Sequence, residues 1–191
     1  MTTIVYAHGF RSSSRSRKAT QLGEYLRAHR PQIDYRTPDL SFRPVTAMAQ
    51  LRAQCAGVAP DSLTVIGSSL GGFYAVVLAE SLGCRAVLLN PSIRPFETLA
   101  KHLGPQTNLY TGEAFTFDGS HVAELEQLYV PKITRPARYL LMVEMGDELL
   151  DHTQTIAYCQ GARQVVIAGG DHELKSFPAY MAEVVAFAAG K

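Results

Sequence analysis

Leu63-Thr-Val-Ile-Gly-Ser-Ser-Leu-Gly-Gly-Phe73 reads as a short apolar strand, a sharp turn and the first turn of a helix. Within it, Gly67-Ser68-Ser69-Leu70-Gly71 fits the pattern Gly-x-Ser-x-Gly, with Ser69 at the centre. The pattern has a mechanical cause. A serine at the tip of a strand-to-helix turn sits in a strained backbone, and its neighbours two positions away must be small to avoid colliding across the turn. The amide N–H of the next residue, Leu70, then points to where an oxyanion would form, with the positive end of the helix dipole behind it. Glycines and serines also make ordinary βα turns. The flanks favour the first reading, because Leu63, Val65 and Ile66 are strand formers and Phe73, Ala75, Val76, Val77, Leu78 and Ala79 suit a buried helix.

Outward from this stretch, strands and helices alternate. Thr2 to Tyr6 reads as the first strand, ending at His8-Gly9-Phe10, and Ala19, Leu22, Tyr25 and Leu26 recur at helical spacing. Ile33 to Thr37 is a second strand, and a second helix runs from Val45 to Gly57. Beyond the Ser69 helix, which Gly83 closes, come a fourth strand at 85–89, a fifth at 138–143, a helix at 151–159, a sixth strand at 164–167 and a last helix at 177–188. Residues 92–136 break this rhythm and are expected to form a cap-like insertion, with helical pieces only near 97–103 and 121–129 and with aromatics walling an acyl pocket. Such alternation predicts a single three-layer α/β sandwich spanning 1–191, its six-stranded, mainly parallel sheet ordered 2-1-3-4-5-6. Sites in such sheets form beyond the carboxyl ends of the strands. His8, Ser69, Asn90, Asp147 and His172 all fall there.

A serine hydroxyl needs a base to take its proton, and the base needs a group to orient it. Asp147, in Met145-Gly-Asp-Glu-Leu-Leu-Asp151, follows the fifth strand, and His172, in Ala168-Gly-Gly-Asp-His-Glu173, follows the sixth. Ser69, Asp147 and His172 are therefore the candidate nucleophile, acid and base. Asp151 is a rival acid on the same loop, and Asp171 reads as a turn or surface residue. His29, His102, His121 and His152 read as solvent-facing or packing residues, and His8 as a brace for its loop. No metal-ligand spacing joins His8 to His172, so no metal and no cofactor are expected. Leu70 N–H and Phe10 N–H are the candidate oxyanion donors, and Gly9 permits close approach of the backbone. Arg11 is a candidate contact to an anionic part of a substrate.

Composition bounds the rest. Of 191 residues 47% are hydrophobic, ample for a core, and 18 basic against 17 acidic side chains leave a net charge of +1. That balance excludes the footprint of a nucleic-acid or anionic-membrane binder, apart from the local cluster Arg11, Arg15, Arg17 and Lys18. Cys55, Cys84 and Cys159 fit no disulfide framework and no zinc site, and read as reduced thiols. No basic leader precedes an apolar run, so a cytoplasmic location is expected. The sequence is silent on oligomeric state.

His8-Gly-Phe10 with Ser12-Ser13 and Lys18-Ala-Thr20, Gly67-Ser-Ser-Leu-Gly-Gly72, Asn90-Pro91 with Arg94-Pro-Phe-Glu97, Tyr110-Thr-Gly112, Gly146-Asp-Glu148 with Leu150-Asp151, and Gly169-Gly-Asp-His172 together resemble the YqiA-like esterases of the α/β-hydrolase superfamily. The likeness runs along nearly the whole chain. It implies a small bacterial serine esterase acting on short acyl esters or thioesters without a cofactor, with nucleophile, acid and base at Ser69, Asp147 and His172. Arg11 stands where that family usually has Asn, as does Asp171. A small-molecule ester is the expected substrate. Two other readings stand beside it: an acyl-CoA thioesterase or acyltransferase, favoured by the basic cluster, and a hydrolase-fold binding protein whose triad is unused.

Overall fold

The four central strands of the main sheet are buried on both faces, which requires helices above and below it. A computed structural model, describing residues 1–190, shows that arrangement. The chain runs through β1 (Thr3–Ala7), α1 (Arg17–His29), β2 (Asp34–Arg36), α2 (Pro44–Cys55), β3 (Leu63–Ser68), α3 (Leu70–Leu82), β4 (Arg85–Leu89), α4 (Pro95–Thr98), β5 (Gly104–Thr107), β6 (Ala114–Phe117), α5 (Gly119–Gln127), β7 (Tyr139–Glu144), α6 (His152–Tyr158), β8 (Arg163–Ile167) and α7 (Phe177–Ala188). The main sheet is ordered β2-β1-β3-β4-β7-β8 and every pairing in it is parallel. Alternation along the strands divides the core in two. Ile4, Tyr6, Ile66, Val87, Leu89, Leu140 and Met142 face α1 and α7, while Val5, Ala7, Val65, Ala86, Leu88, Leu141 and Val143 face α2, α3, α5 and α6. The architecture is the expected three-layer α/β-hydrolase sandwich.

The departure lies between β4 and β7. Two short strands, β5 and β6, pair antiparallel from Gly104↔Phe117 to Thr107↔Ala114 and form a separate hairpin where only helical pieces were expected. The described residues therefore hold eight strands, six of them in the main sheet. Gly104-Pro-Gln-Thr107 is poor in strand formers and half exposed, so no local preference announces it. Its context makes it a strand. Asn108 Oδ1 accepts from the Tyr110 and Thr111 amides to shape the turn. The hairpin is then tied to the loop after β1 by Leu109 N–H to Arg11 O (2.9 Å), Asn108 Nδ2 to Ser12 O (2.8 Å) and Arg11 Nε to Thr107 O (3.0 Å). Phe10 packs edge-on against Phe115 and Phe117, at 5.9 and 5.0 Å between ring centroids.

Cys55, Cys84 and Cys159 are all buried and unpaired, and burial pushes their thiols up to about 11, 12 and 12. Among the described residues no helix is long and apolar enough to cross a membrane.

The β3–α3 turn is the tightest point of the fold. Ser69 has φ 55° and ψ −120°, a conformation that L-residues avoid. A Cβ on Gly67 would lie 2.1 Å from the Gly71 carbonyl oxygen, and one on Gly71 would lie 1.9 Å from the Ala7 carbonyl oxygen. The backbones of β1, β3 and α3 therefore touch directly, and the obstructing atoms are main chain that cannot swing aside. Gly71→Ala is expected to destabilise the protein by about 3 kcal/mol or more, the upper range for overpacking. Urea unfolding checks this, and an unchanged midpoint would contradict the packing described.

Candidate active site

Because the six strands are parallel, the loops after β1, β3, β4, β7 and β8 leave one edge of the sheet together. The loop after β3 holds Ser69 at the head of α3. The loop after β7 carries Asp147 and that after β8 carries His172. Their side chains form one hydrogen-bonded chain: Ser69 Oγ lies 3.0 Å from His172 Nε2, and His172 Nδ1 lies 2.8 Å from Asp147 Oδ2. Asp147 is nearly enclosed, its side chain 3% exposed. Burial works to raise its carboxyl, but the bond to His172 and the amides of Leu149 and Leu150 outweigh it and hold the group below the ordinary carboxylate range. An ionised carboxylate only accepts, so Nδ1 carries the imidazole proton and the Nε2 lone pair faces the serine hydroxyl.

The rival carboxylates are occupied elsewhere. Asp151 caps α6 by accepting from Thr153 N–H (2.9 Å), and Asp171 pairs with Lys175 (2.5 Å). His8, buried, bridges its own loop: Leu40 N–H donates to Nε2 at 2.9 Å, which leaves Nδ1–H to bond the Gly9 carbonyl at 3.0 Å. It is a brace, and burial lowers its pKa. His121 is buried too, stacked on Phe117 within the α5 capping box, whereas His29 is exposed.

A model of the Uncharacterised protein family (UPF0227) matches residues 3–189, nearly the whole chain. The chain belongs to that family. It is the YqiA-like group that the motifs resemble. Solved structures agree on the fold. Mouse alpha/beta hydrolase domain-containing protein 10 superposes with a TM-score of 0.71 at 16% identity, over 96% of this chain and 89% of that one. Est1E from Butyrivibrio proteoclasticus, with ferulic acid bound, gives 0.70 at 15% over 100% and 90%. The esterase domain of a Rhodothermus marinus protein gives 0.64 at 20% over 97% and 86%.

In this UPF0227 chain the remaining predicted residues gather around Ser69. A Cβ on Gly9 would sit 3.3 Å from Ser69 Cβ, so the β1 loop lies directly against the serine. The amides of Phe10 and Leu70 donate to no group among the described residues. Arg11 lines the same space, with its Nε committed to the hairpin. Two cavities meet at Ser69 and His172. One, of about 380 Å³, is walled mainly by Leu70, Leu99, Leu109, Leu149 and Leu150 with Phe10, with Arg11, Lys101 and His102 also on its border. The expected aromatic wall is absent there: Phe115 borders a different cavity beyond Phe10, and Phe96 packs on Tyr129. The second, of about 340 Å³, sets Arg11, Arg17, Lys18 and Ser16 beside the apolar surface of Phe10, Leu109 and Tyr110.

Two further residues matter, Glu144, which no motif singled out, and Asn90, to which none gave a role. Glu144, 1% exposed at the end of β7, accepts from the Asp171 amide (2.7 Å), the Ser176 amide (2.9 Å) and the Ser176 hydroxyl. Asn90, suspected from position without a role, clamps the same segment: Nδ2 donates to the Asp171 and His172 carbonyls, and Oδ1 accepts from Glu144 N–H. Glu148 takes the His172 amide at 3.0 Å. Gly170, with φ +76°, lies so close to Glu144 that a Cβ there would sit 2.1 Å from Oε2. A charged residue closing an otherwise apolar strand, Tyr-Leu-Leu-Met-Val-Glu144, was the available signal.

Burial acts to raise the Glu144 carboxyl, but the Ser176 hydroxyl and the Asp171 and Ser176 amides prevail and hold it below its ordinary range. A depressed carboxyl stabilises the fold above its unfolded-state pKa, and that stability is lost as pH falls through the folded value. Glu144→Gln is expected to cost about 2–3 kcal/mol at neutral pH, since the amide cannot accept three donors without presenting its own NH₂. It should also flatten the fall in Tm between about pH 6 and about pH 3. A variant with the wild-type Tm and the wild-type slope would show that Glu144 does not anchor the His172 segment.

Proposed function

We propose that this protein is a serine hydrolase of carboxylic esters with small acyl groups, acting through Ser69, His172 and Asp147. The single observation that carries the reading is the continuous hydrogen-bonded chain from Ser69 Oγ through the imidazole to Asp147, at 3.0 and 2.8 Å. Three loops distant in sequence converge on it. A packing role alone gives no reason for a strained serine to face a lone pair. The structural likeness to the esterase domain of a Rhodothermus marinus protein favours an ester as the acyl donor.

In this mechanism His172 Nε2 takes the Ser69 proton as Oγ attacks the ester carbonyl. Asp147 keeps the ring in the required tautomer and stabilises the imidazolium. The oxyanion is received by the free amides of Leu70 and Phe10, reinforced by the N-terminus of the 13-residue α3. His172 then returns its proton to the departing alcohol, and the acyl group remains on Ser69. A water deprotonated by the same ring releases the acid and restores the hydroxyl. The leucine-lined cavity takes the apolar acyl chain. Residues 92–136 act as a small cap within the one domain, and the hairpin holds Phe10 in position through its rings and three hydrogen bonds.

Ser69→Ala is expected to lower kcat on p-nitrophenyl butyrate by ~10³-fold or more, and Asp147→Asn by roughly 10⁴-fold through the wrong tautomer. A fluorophosphonate probe should label the wild type and not the Ser69→Ala variant. A Ser69→Ala enzyme as fast as the wild type overturns the mechanism. A wild type that neither turns over esters nor takes the label points instead to a binding protein.

A further inference from the structure

The two cavities that meet at Ser69 and His172 differ in chemistry. The leucine-lined one suits a hydrocarbon. The other is bordered by Tyr6, Arg11, Ser16, Arg17 and Lys18. Three cations thus face a space in which the one carboxylate is Glu173, itself 3.5 Å from Arg17. Lys18, partly buried, donates to the Glu173 carbonyl oxygen at 2.8 Å and has no carboxylate within 4.0 Å among the described residues. Arg11 spends its Nε on the Thr107 carbonyl and likewise has no carboxylate partner among them. Arg15, which neighbours them in sequence, does not border the cavity.

Two further features point the same way. Tyr6 is fully buried in β1 beside the Ser16 and Ser68 hydroxyls, and neither its hydroxyl nor that of the buried Ser16 completes a well-formed hydrogen bond. Ser16 is the N-cap of α1, yet its side chain does not cap. Buried donors left unsatisfied are rare, and they concentrate where a ligand completes them. The N-terminus of the 13-residue α1 adds the positive end of its dipole at the same place. Burial, with Arg17 adding to it, lowers the Lys18 ammonium to about 8 against the opposing charges of Glu173, Asp171 and Glu144.

We infer that the ester cleaved at Ser69 carries an anionic arm, a carboxylate or phosphate, seated against Lys18 and Arg11 beside the hydroxyls of Tyr6 and Ser16, while its apolar arm occupies the leucine-lined cavity. The inference rests on the esterase reading and narrows it: the substrate is an amphiphilic acid ester rather than a neutral one. Charge-assisted bonds from a half-buried ammonium discriminate strongly against an uncharged arm of the same size, because that arm leaves the donors unsatisfied.

The test is a panel of esters read as kcat/KM on the full chain. It compares p-nitrophenyl hemisuccinate with p-nitrophenyl butyrate for a charge on the acyl side. It compares butyryl glycolate and the butyryl ester of 2-hydroxyethyl phosphate with propyl butyrate for a charge on the alcohol side. At least one anionic ester is expected to exceed its neutral partner by ~10-fold or more, and Lys18→Met to reduce that ratio by about 10-fold. Arg11→Gln, on a different loop, should reduce it as well. The glycolate and phosphate arms distinguish the two anions. Neutral esters matching or exceeding every anionic one, or a ratio that both variants leave unchanged, would overturn the inference while leaving the esterase intact. Turnover of no ester at all would instead sink the esterase reading itself, and this inference with it.

Discussion

The whole site hangs on main-chain contact between β1, β3 and α3. Gly71 presses against the Ala7 carbonyl and Gly67 against Gly71, so no side chain separates the elements. Close-packed backbone cannot relax as a flexible side chain can, and Ser69 is held at φ 55° by its surroundings rather than by its own preference. The same contact brings the β1 loop against the serine, with Gly9 3.3 Å from its Cβ by the position a side chain would take. One geometric constraint therefore sets both the serine hydroxyl and the two free amides beside it. The hydrogen bonds of Ser69, which donates to the Leu89 carbonyl and accepts from Gly72 and Ser92, lock the strained residue on both sides.

The histidine is held by a different device. The segment after β8 has two left-handed glycines and little packing of its own, so it needs an anchor. Buried polar groups supply it: Glu144 takes two amides and a hydroxyl, and Asn90 takes two carbonyls and gives its oxygen to Glu144 N–H. Every member of this network is satisfied, the condition under which a buried polar cluster rigidifies rather than weakens a fold. Its consequence at the surface is the 3.0 Å approach of His172 Nε2 to Ser69 Oγ.

Specificity, in the reading proposed, belongs to the parts that join late. The hairpin reaches over the β1 loop and sets its tip residue Leu109 on the border of both cavities, between a leucine-lined space and one bordered by Arg17 and Lys18, with Arg11 shared by the two. The basic cluster visible as Arg11, Arg15, Arg17 and Lys18 is thereby sorted: three of the four turn toward the serine, and Arg15 does not. A run of like charges in sequence says nothing of which members share a cavity, since that depends on where α1 begins and how its first turn faces the sheet.

Much of this was legible in the chain. Alternating apolar runs and helical spacing determined the layered sheet, because burying both faces of parallel strands leaves no other arrangement of those segments. Gly67, Ser69 and Gly71 determined the turn, since only small residues survive such a crossing. The loops bearing Asp147 and His172 could be placed by counting strands. What tertiary structure alone decided was the rest: the hairpin, whose strand β5 is poor in strand formers and exists by pairing; Asp151 as a helix cap, with Asp147 turned to the imidazole; Glu144 and Asn90 as the frame of the histidine segment; and the division of one site into two cavities. Those outcomes depend on distances between residues far apart in the chain, and a one-dimensional pattern records which groups are present without recording which of them meet.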